Sequence, residues 1–129
     1  MAKTLGDDYD AEIHEIHHRD KLDSPSGTAL SIGKAIAKGR KIDLEKNTIK
    51  SRWGIENERE KGAIGFSTSR GGDVIGDHTV TFAGPGERVE LSHKAGNREI
   101  FSNGALKALL WLKDRSPGHY TMANVLGLN

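Results

Sequence analysis

A short alternating run, Ala11–His17, passes through a turn-rich connection directly into an apolar helical stripe, and this strand-to-helix passage constrains the fold more than any other feature of the chain. Ala11, Ile13 and Glu15 alternate with Glu12, His14 and Ile16. The alternation is imperfect, but β-branched residues and the turn residues that follow favour a strand. Beyond it, Ala29, Leu30, Ile32, Gly33 and Ile36 recur at helical spacing. Ser24 is a candidate N-cap, Pro25 suits a first helical position and Gly39 is a stop signal, which predicts a helix over Pro25–Lys38.

Arg40–Gly62 is charged and lacks periodicity, so it reads as mostly loop. Ala63–Ser69, Asp77–Phe82 and Arg88–Ala95 read as strands, with a hairpin signal at Gly84-Pro85-Gly86. Arg98–Lys113 reads as a second long helix after an Asn97 cap, with Phe101, Ala105, Ala108, Leu109 and Leu112 on one face. Ser116-Pro117-Gly118 ends it, Lys3–Asp8 is a polar lead-in, and Met122–Leu128 forms a last short turn. The order predicts one folding unit of α+β class: an open mixed, largely antiparallel sheet of about four strands, with two main helices on one face. Two sheet edges then need cover, which self-association through the sheet would supply. Leu110 and Trp111 lie off the apolar stripe, and this surplus points to a partner surface.

Composition narrows the chemistry. With 129 residues, 35% hydrophobic and 5% aromatic, the chain can build one modest core. It has no cysteine, which excludes disulfides, thiolate catalysis and Cys-based metal sites. Nineteen Lys and Arg against eighteen Asp and Glu are too balanced for a dedicated nucleic-acid binder. There is no apolar run of about eighteen residues and no signal-peptide pattern, so neither a membrane span nor secretion is expected, and a cytoplasmic location is.

His17-His18-Arg19-Asp20-Lys21-Leu22-Asp23-Ser24-Pro25-Ser26-Gly27-Thr28 places two imidazoles, two cations and a helix start in one connection. The first amides of a helix lack intrahelical acceptors and lie at the positive end of its dipole. Ser26, Gly27 and Thr28 can therefore donate to a carboxylate or phosphate. Gly27 has no Cβ to keep a ligand off the backbone. His17 or His18 can exchange a proton near neutrality, and Lys21 can hold a carboxylate or act as an acid. His93, Lys94 and Arg98 are further cations that either join the site or are solvated surface.

Other motifs carry less. Gly84-Pro85-Gly86-Glu87-Arg88-Val89 begins like a dinucleotide fingerprint but ends in Val and lies in a hairpin, and no phosphate-binding P-loop occurs. Arg70-Gly71-Gly72-Asp73 is read as a turn. His14, His17, His18, His78 and His93 offer a metal set. His14 and His17 point to opposite faces of a strand, however, and no H-E-x-x-H helix is present, so no metal is assigned.

The run Glu15-Ile16-His17-His18-Arg19-Asp20-Lys21-Leu22-Asp23-Ser24-Pro25-Ser26-Gly27-Thr28-Ala29 resembles the signature of the dihydrodipicolinate reductases, also called 4-hydroxy-tetrahydrodipicolinate reductases. The likeness extends through Ile64-Gly65-Phe66, Arg70-Gly71-Gly72-Asp73, Gly76-Asp77-His78-Thr79-Val80, His93-Lys94-Ala95 and Asn103-Gly104-Ala105, nearly the whole chain. It implies His17 as proton donor and acceptor, Lys21 as proton donor, and His18, Gly27 and Thr28 as contacts to a dicarboxylate substrate. The implied activity is NADPH- or NADH-dependent reduction of 4-hydroxy-tetrahydrodipicolinate to tetrahydrodipicolinate, in diaminopimelate and lysine biosynthesis. Members of that family begin with a Rossmann nucleotide-binding domain. Residues 1–129 resemble only their C-terminal substrate-binding and tetramerisation domain, so the resemblance implies a homotetramer whose nucleotide is held elsewhere and an isolated chain that does not turn over. Arg98 and Phe101 would lie near the nicotinamide. The competing expectation is a non-catalytic dicarboxylate-binding or assembly module; a metal-dependent hydrolase built on the histidines ranks behind both.

Overall fold

The computed structural model describes residues 1–50 and 52–128. The chain forms two compact units, Met1–Lys94 and Ala95–Asn129. The first contains α1 (Ala2–Leu5), β1 (Asp10–His17), α2 (Gly27–Arg40), a 3-10 turn (Glu45–Asn47), β2 (Thr48–Ile49), β3 (Ile64–Arg70), β4 (Asp77–Gly84) and β5 (Glu87–Lys94). The second contains α3 (Glu99–Leu112) and α4 (Met122–Val125).

The sheet is open and mixed, as expected, but has five strands in the order β2-β3-β1-β4-β5. The additional strand, β2, lies in the stretch read as loop. Two residues are too few to show alternation, and β2 exists only because it pairs with Ile64 and Gly65 of β3. The β2–β3 and β3–β1 ladders are parallel, whereas β1–β4 and β4–β5 are antiparallel. A parallel neighbour requires a long crossover, and α2 provides it between β1 and β3.

Along β1, Ala11, Ile13, Glu15 and His17 are buried while the residues between them are more exposed. The same face carries Ile64 and Phe66 from β3 and Val80 and Phe82 from β4, and α2 covers it with Ala29, Ile36 and Ala37. Small residues let the helix lie close. A Cβ on Gly33 would sit 2.5 Å from Phe66 Cζ, so α2 rests on the sheet only because that position has no side chain. On the opposite face, Glu12 receives hydrogen bonds from Arg52 and Arg59, and Arg59 also holds Asp10. Gly65 leaves the room that this carboxylate occupies.

The ends of α2 differ from expectation. The helix starts at Gly27, and its cap is Ser26, not Ser24. Ser26 is extended (φ −63°, ψ 157°) and its hydroxyl accepts from Ala29 N–H, whereas Ser24 Oγ, in the connection before the helix, donates to Thr68 Oγ1 on β3. At the other end the helix runs through Gly39 to Arg40, and Lys41 closes it in the left-handed region at φ 58°. Gly39 serves packing: a Cβ there would lie 3.1 Å from Ala2 Cβ on α1.

In the second unit, Asn97 Oδ1 accepts from Glu99 N–H at the start of α3. No residue of α3 is buried. Its more sheltered positions are Gly104, Ala108 and Trp111, so only Ala108 of the stripe read from periodicity is among them. The reason is local. Trp111 packs edge-to-face on Tyr120 at 5.2 Å and under Arg115 at 4.2 Å, so the chain that folds back after the helix decides which face is covered. Leu109 and Leu110 remain about two-thirds exposed.

Candidate functional site

Strand register assembles the site. Across the sheet, Glu15 lies between Thr68 and His78, and His17 is paired with Arg70. Paired residues share a face, so a carboxylate, two imidazoles, a hydroxyl and a guanidinium converge beside the start of α2.

Glu15 is 1% exposed, the most deeply buried charge of the cluster. Its Oε1 accepts from Ser26 N–H at 2.8 Å and from Thr68 Oγ1 at 3.2 Å. Its Oε2 lies 2.7 Å from His17 Nδ1, a close polar contact that runs off the line of a hydrogen bond. His78 Nε2 is bonded to Ser26 Oγ at 2.9 Å, and its ring meets that of His17 edge-on at 5.1 Å. Gly76 completes the seat of His17. A Cβ there would come within 2.8 Å of His17 Nε2.

The connection after His17 is held by the Arg70–Asp73 turn. Gly71 N–H donates to His17 O and Arg19 N–H to Gly72 O, while Arg70 donates to the carbonyls of Lys21 and Asp23. Lys21 Nζ lies 2.7 Å from Asp23 Oδ1. His18 is half-buried, and its side chain has no hydrogen-bond partner among the described residues.

Of the three amides expected to bind an anion, that of Ser26 is committed to Glu15 and its hydroxyl to Ala29 and His78. Gly27 and Thr28 are exposed, their amides have no acceptor among the described residues, and a Cβ on Gly27 would meet nothing within 4 Å. The open cradle therefore consists of Gly27 and Thr28 N–H at the positive end of a fourteen-residue helix, while Lys21 and Arg70 are cations beside His17. An open groove of about 1120 Å³ adjoins this region through Ser24, Pro25 and Thr68, but His17, Lys21, Gly27 and Thr28 do not line it.

Burial is the largest influence on His17 and pushes its pKa below the ordinary value. Lys21 and Arg70 push the same way, against the pull of Glu15. Burial lowers His78 as well, helped by His17 and His93. For Glu15, burial alone would raise the pKa, but the bonds from Ser26 and Thr68 and the neighbouring His17 outweigh it and hold the carboxyl below its usual range.

These directions set a stability profile. Below the ordinary histidine value of 6.5 the unfolded chain takes up protons that folded His17 and His78 do not, so stability falls as pH drops through that window. It falls again below the ordinary glutamate value of 4.5, where unfolded Glu15 protonates before the folded residue. Urea midpoints should decrease steadily between pH 8 and pH 5.5; a midpoint that stays level would contradict this assignment.

Sequence patterns do not single out Glu15 or His78 for a role within the site. The signal is present, since Glu15 occupies the same alternating face as Ala11 and Ile13, and His78 the same face as Val80 and Phe82. A charge on the apolar face of a strand needs a partner. His14 points to the other face and bonds Ser67 Oγ at 3.0 Å. Glu15, His17 and His78 bring ligand atoms within 4.8 Å of one another, although His78 Nε2 is taken by Ser26 and stands 4.0 Å from Glu15 Oε2. Arg98 and Phe101 lie at the start of α3, in the second unit.

Residues 1–126 match the family model described as dihydrodipicolinate reductase, C-terminus. The chain belongs to this family. It is 58% identical over 128 residues to the 4-hydroxy-tetrahydrodipicolinate reductase of Rhodopseudomonas palustris (strain BisA53), covering 99% of this chain and 47% of that protein. The reductase of the same name from Bartonella quintana (strain Toulouse) is 57% identical, with 98% and 47% covered. Among solved structures, a dipicolinate-bound dihydrodipicolinate reductase from Paenisporosarcina sp. TG-14 superposes with a TM-score of 0.67 at 29% identity, over 95% of this chain and 47% of that one. The chain thus spans about half the length of the curated relatives it matches, and the match is to the family's C-terminal domain. Among the described residues, no helix is long and apolar enough to cross a membrane.

Proposed function

We propose that this chain forms the dicarboxylate site and supplies the protons of an NAD(P)H-dependent 4-hydroxy-tetrahydrodipicolinate reductase. The observation that carries this reading is the pairing of open amides at Gly27 and Thr28 with a buried imidazole, His17, tied to the same helix start through Glu15 and Ser26. The amides hold one substrate carboxylate, and His18, half-buried and without a side-chain hydrogen-bond partner among the described residues, gives a further contact, while Ser26 acts through its bonds to Glu15 and His78. Lys21 and His17 deliver protons. Burial, by lowering the His17 pKa, makes an imidazolium there a stronger acid once it forms. The relatives' names and the dipicolinate in the related structure support this substrate class.

The nicotinamide nucleotide supplies hydride. The described residues do not fit it: the dinucleotide-like glycines among them, Gly84 and Gly86, flank the β4–β5 hairpin, not a strand-to-helix turn. Its binding is assigned to the half of the relatives that this chain does not match.

Pyridine-2,6-dicarboxylate should bind the chain in calorimetry, and Thr28→Pro, which removes one donor at a position where a helix tolerates proline, should weaken that binding by about tenfold, the worth of one hydrogen bond to a charged group. Equal affinity for both chains would remove the cradle. In the complete protein, dicarboxylate binding without any nucleotide oxidation would favour the non-catalytic module. We further propose self-association, as a tetramer, through the sheet. Support comes from β5, an edge strand exposed along almost its whole length and carrying Leu91 at 65% exposure. Light scattering that finds only monomer would end this part.

A further inference from the structure

We propose that Glu15 is the positioning residue of this site, a buried carboxylate that sets the ring orientation and tautomer of His17 and locks that ring to the helix start that binds the anion. The inference rests on the function proposed above.

The first argument is placement. Glu15 occupies a fully buried position on the apolar face of a central strand, where Val or Ile would pack without any desolvation penalty. A buried carboxylate is usually balanced by Lys or Arg. Among the described residues none makes an ion pair with Glu15, whose partners are an amide, a hydroxyl and an imidazole.

The second argument is the division of its two oxygens. Oε1 holds the Ser26 amide, the residue immediately before the open amides of Gly27 and Thr28, and Oε2 meets His17 Nδ1. One short side chain therefore spans the anion cradle and the proton-exchanging ring. The carboxylate favours the proton on Nδ1, which leaves Nε2 as the exchanging atom. Gly76 defines the other side of the ring, since any Cβ there would displace Nε2.

Nitrogen NMR of the histidine rings in the full chain tests this without relying on turnover. The unsubstituted chain at pH 7.5 should show His17 protonated on Nδ1. In Glu15→Gln the amide oxygen can keep Ser26, so the NH₂ group faces His17, and the ring should invert to the Nε2–H tautomer. Glu15→Asp, which keeps the charge, should restore Nδ1–H at least in part. The His17 titration should move to lower pH in Glu15→Gln, because the remaining groups facing the ring, Lys21 from the connection, Arg70 from β3 and His78 from β4, do not replace the lost anion. His93, in register with His78, is unchanged by the substitution.

In the complete protein, kcat of Glu15→Gln should fall by about 10² or more while dipicolinate affinity changes by less than about threefold, because Gly27 and Thr28 keep their amides. A purely structural role would leave the tautomer and titration of His17 unmoved in a folded variant. An Nε2–H ring in the unsubstituted chain overturns the proposal, even if Glu15→Gln does not fold, and so does an unaltered ring in a folded Glu15→Gln. If the tautomer inverts but the unsubstituted chain does not bind dipicolinate, the function proposed above falls and the positioning role stands.

Discussion

His17→Gln, placed in a protein that carries this chain together with the remaining half present in its relatives, is expected to lower turnover by about 10²- to 10⁴-fold, the range for loss of a general acid-base group. The substitution keeps the size and a polar terminus but cannot cycle a proton near neutrality. Binding should survive, because the amides of Gly27 and Thr28 belong to the backbone and the fold of α2 depends on Ser26 and Ala29. The loss should therefore appear in kcat with a much smaller change in KM, the pattern of an interaction used in the transition state. Lys21→Ala should reduce kcat as well and also raise KM, because it removes a cation beside His17 whose ammonium is already oriented by Asp23. Steady-state kinetics on both variants decides the matter: turnover within a few-fold of the unsubstituted protein would assign the protons elsewhere.

Ile13→Ala should destabilise the chain by about 2–5 kcal/mol, the usual result of emptying a core position that cannot collapse. Ile13 is fully buried on the central strand, flanked in register by Phe66 and Val80. Its neighbours cannot move in to fill the space, since β1 is hydrogen-bonded on both sides. Against a typical total of about 5–15 kcal/mol for a domain, this is a large fraction. The opposite error at Gly33 should also be unfavourable: Gly33→Ala forces a methyl group to within 2.5 Å of the Phe66 ring, an overpacking of about 1–3 kcal/mol that outweighs the gain in helix propensity. Urea unfolding of the two variants measures both effects. A midpoint for Ile13→Ala equal to that of the unsubstituted chain would mean that the core lies elsewhere.

The two expectations draw on different levels of the molecule. Ile13 could be named as core from the alternation of Ala11, Ile13 and Glu15, a local property of a strand. Gly33 reads in sequence as one more apolar helical position; that it is the point where α2 touches the sheet depends on Phe66, brought there by a parallel ladder. Ser24 and Ser26 make the same point at the start of the helix. Both are good caps by type, and the choice between them came from Thr68 engaging Ser24 while Glu15 and His78 engage Ser26.

Sequence by itself determined the order of the main strands and helices, the α+β class and the connection His17–Thr28 as the place where chemistry concentrates. Each of those comes from periodicity, turn residues and the unsatisfied amides of a helix start, which act within a few positions of one another. Tertiary structure alone decided that β3 runs parallel beside β1, that Thr48–Ile49 adds a fifth strand, and that Glu15, Ser26, Thr68 and His78 meet around His17. Strand register pairs residues dozens of positions apart, and its energy comes from whole ladders and the shared core, so no local pattern records which distant hydroxyl or imidazole a buried carboxylate will find.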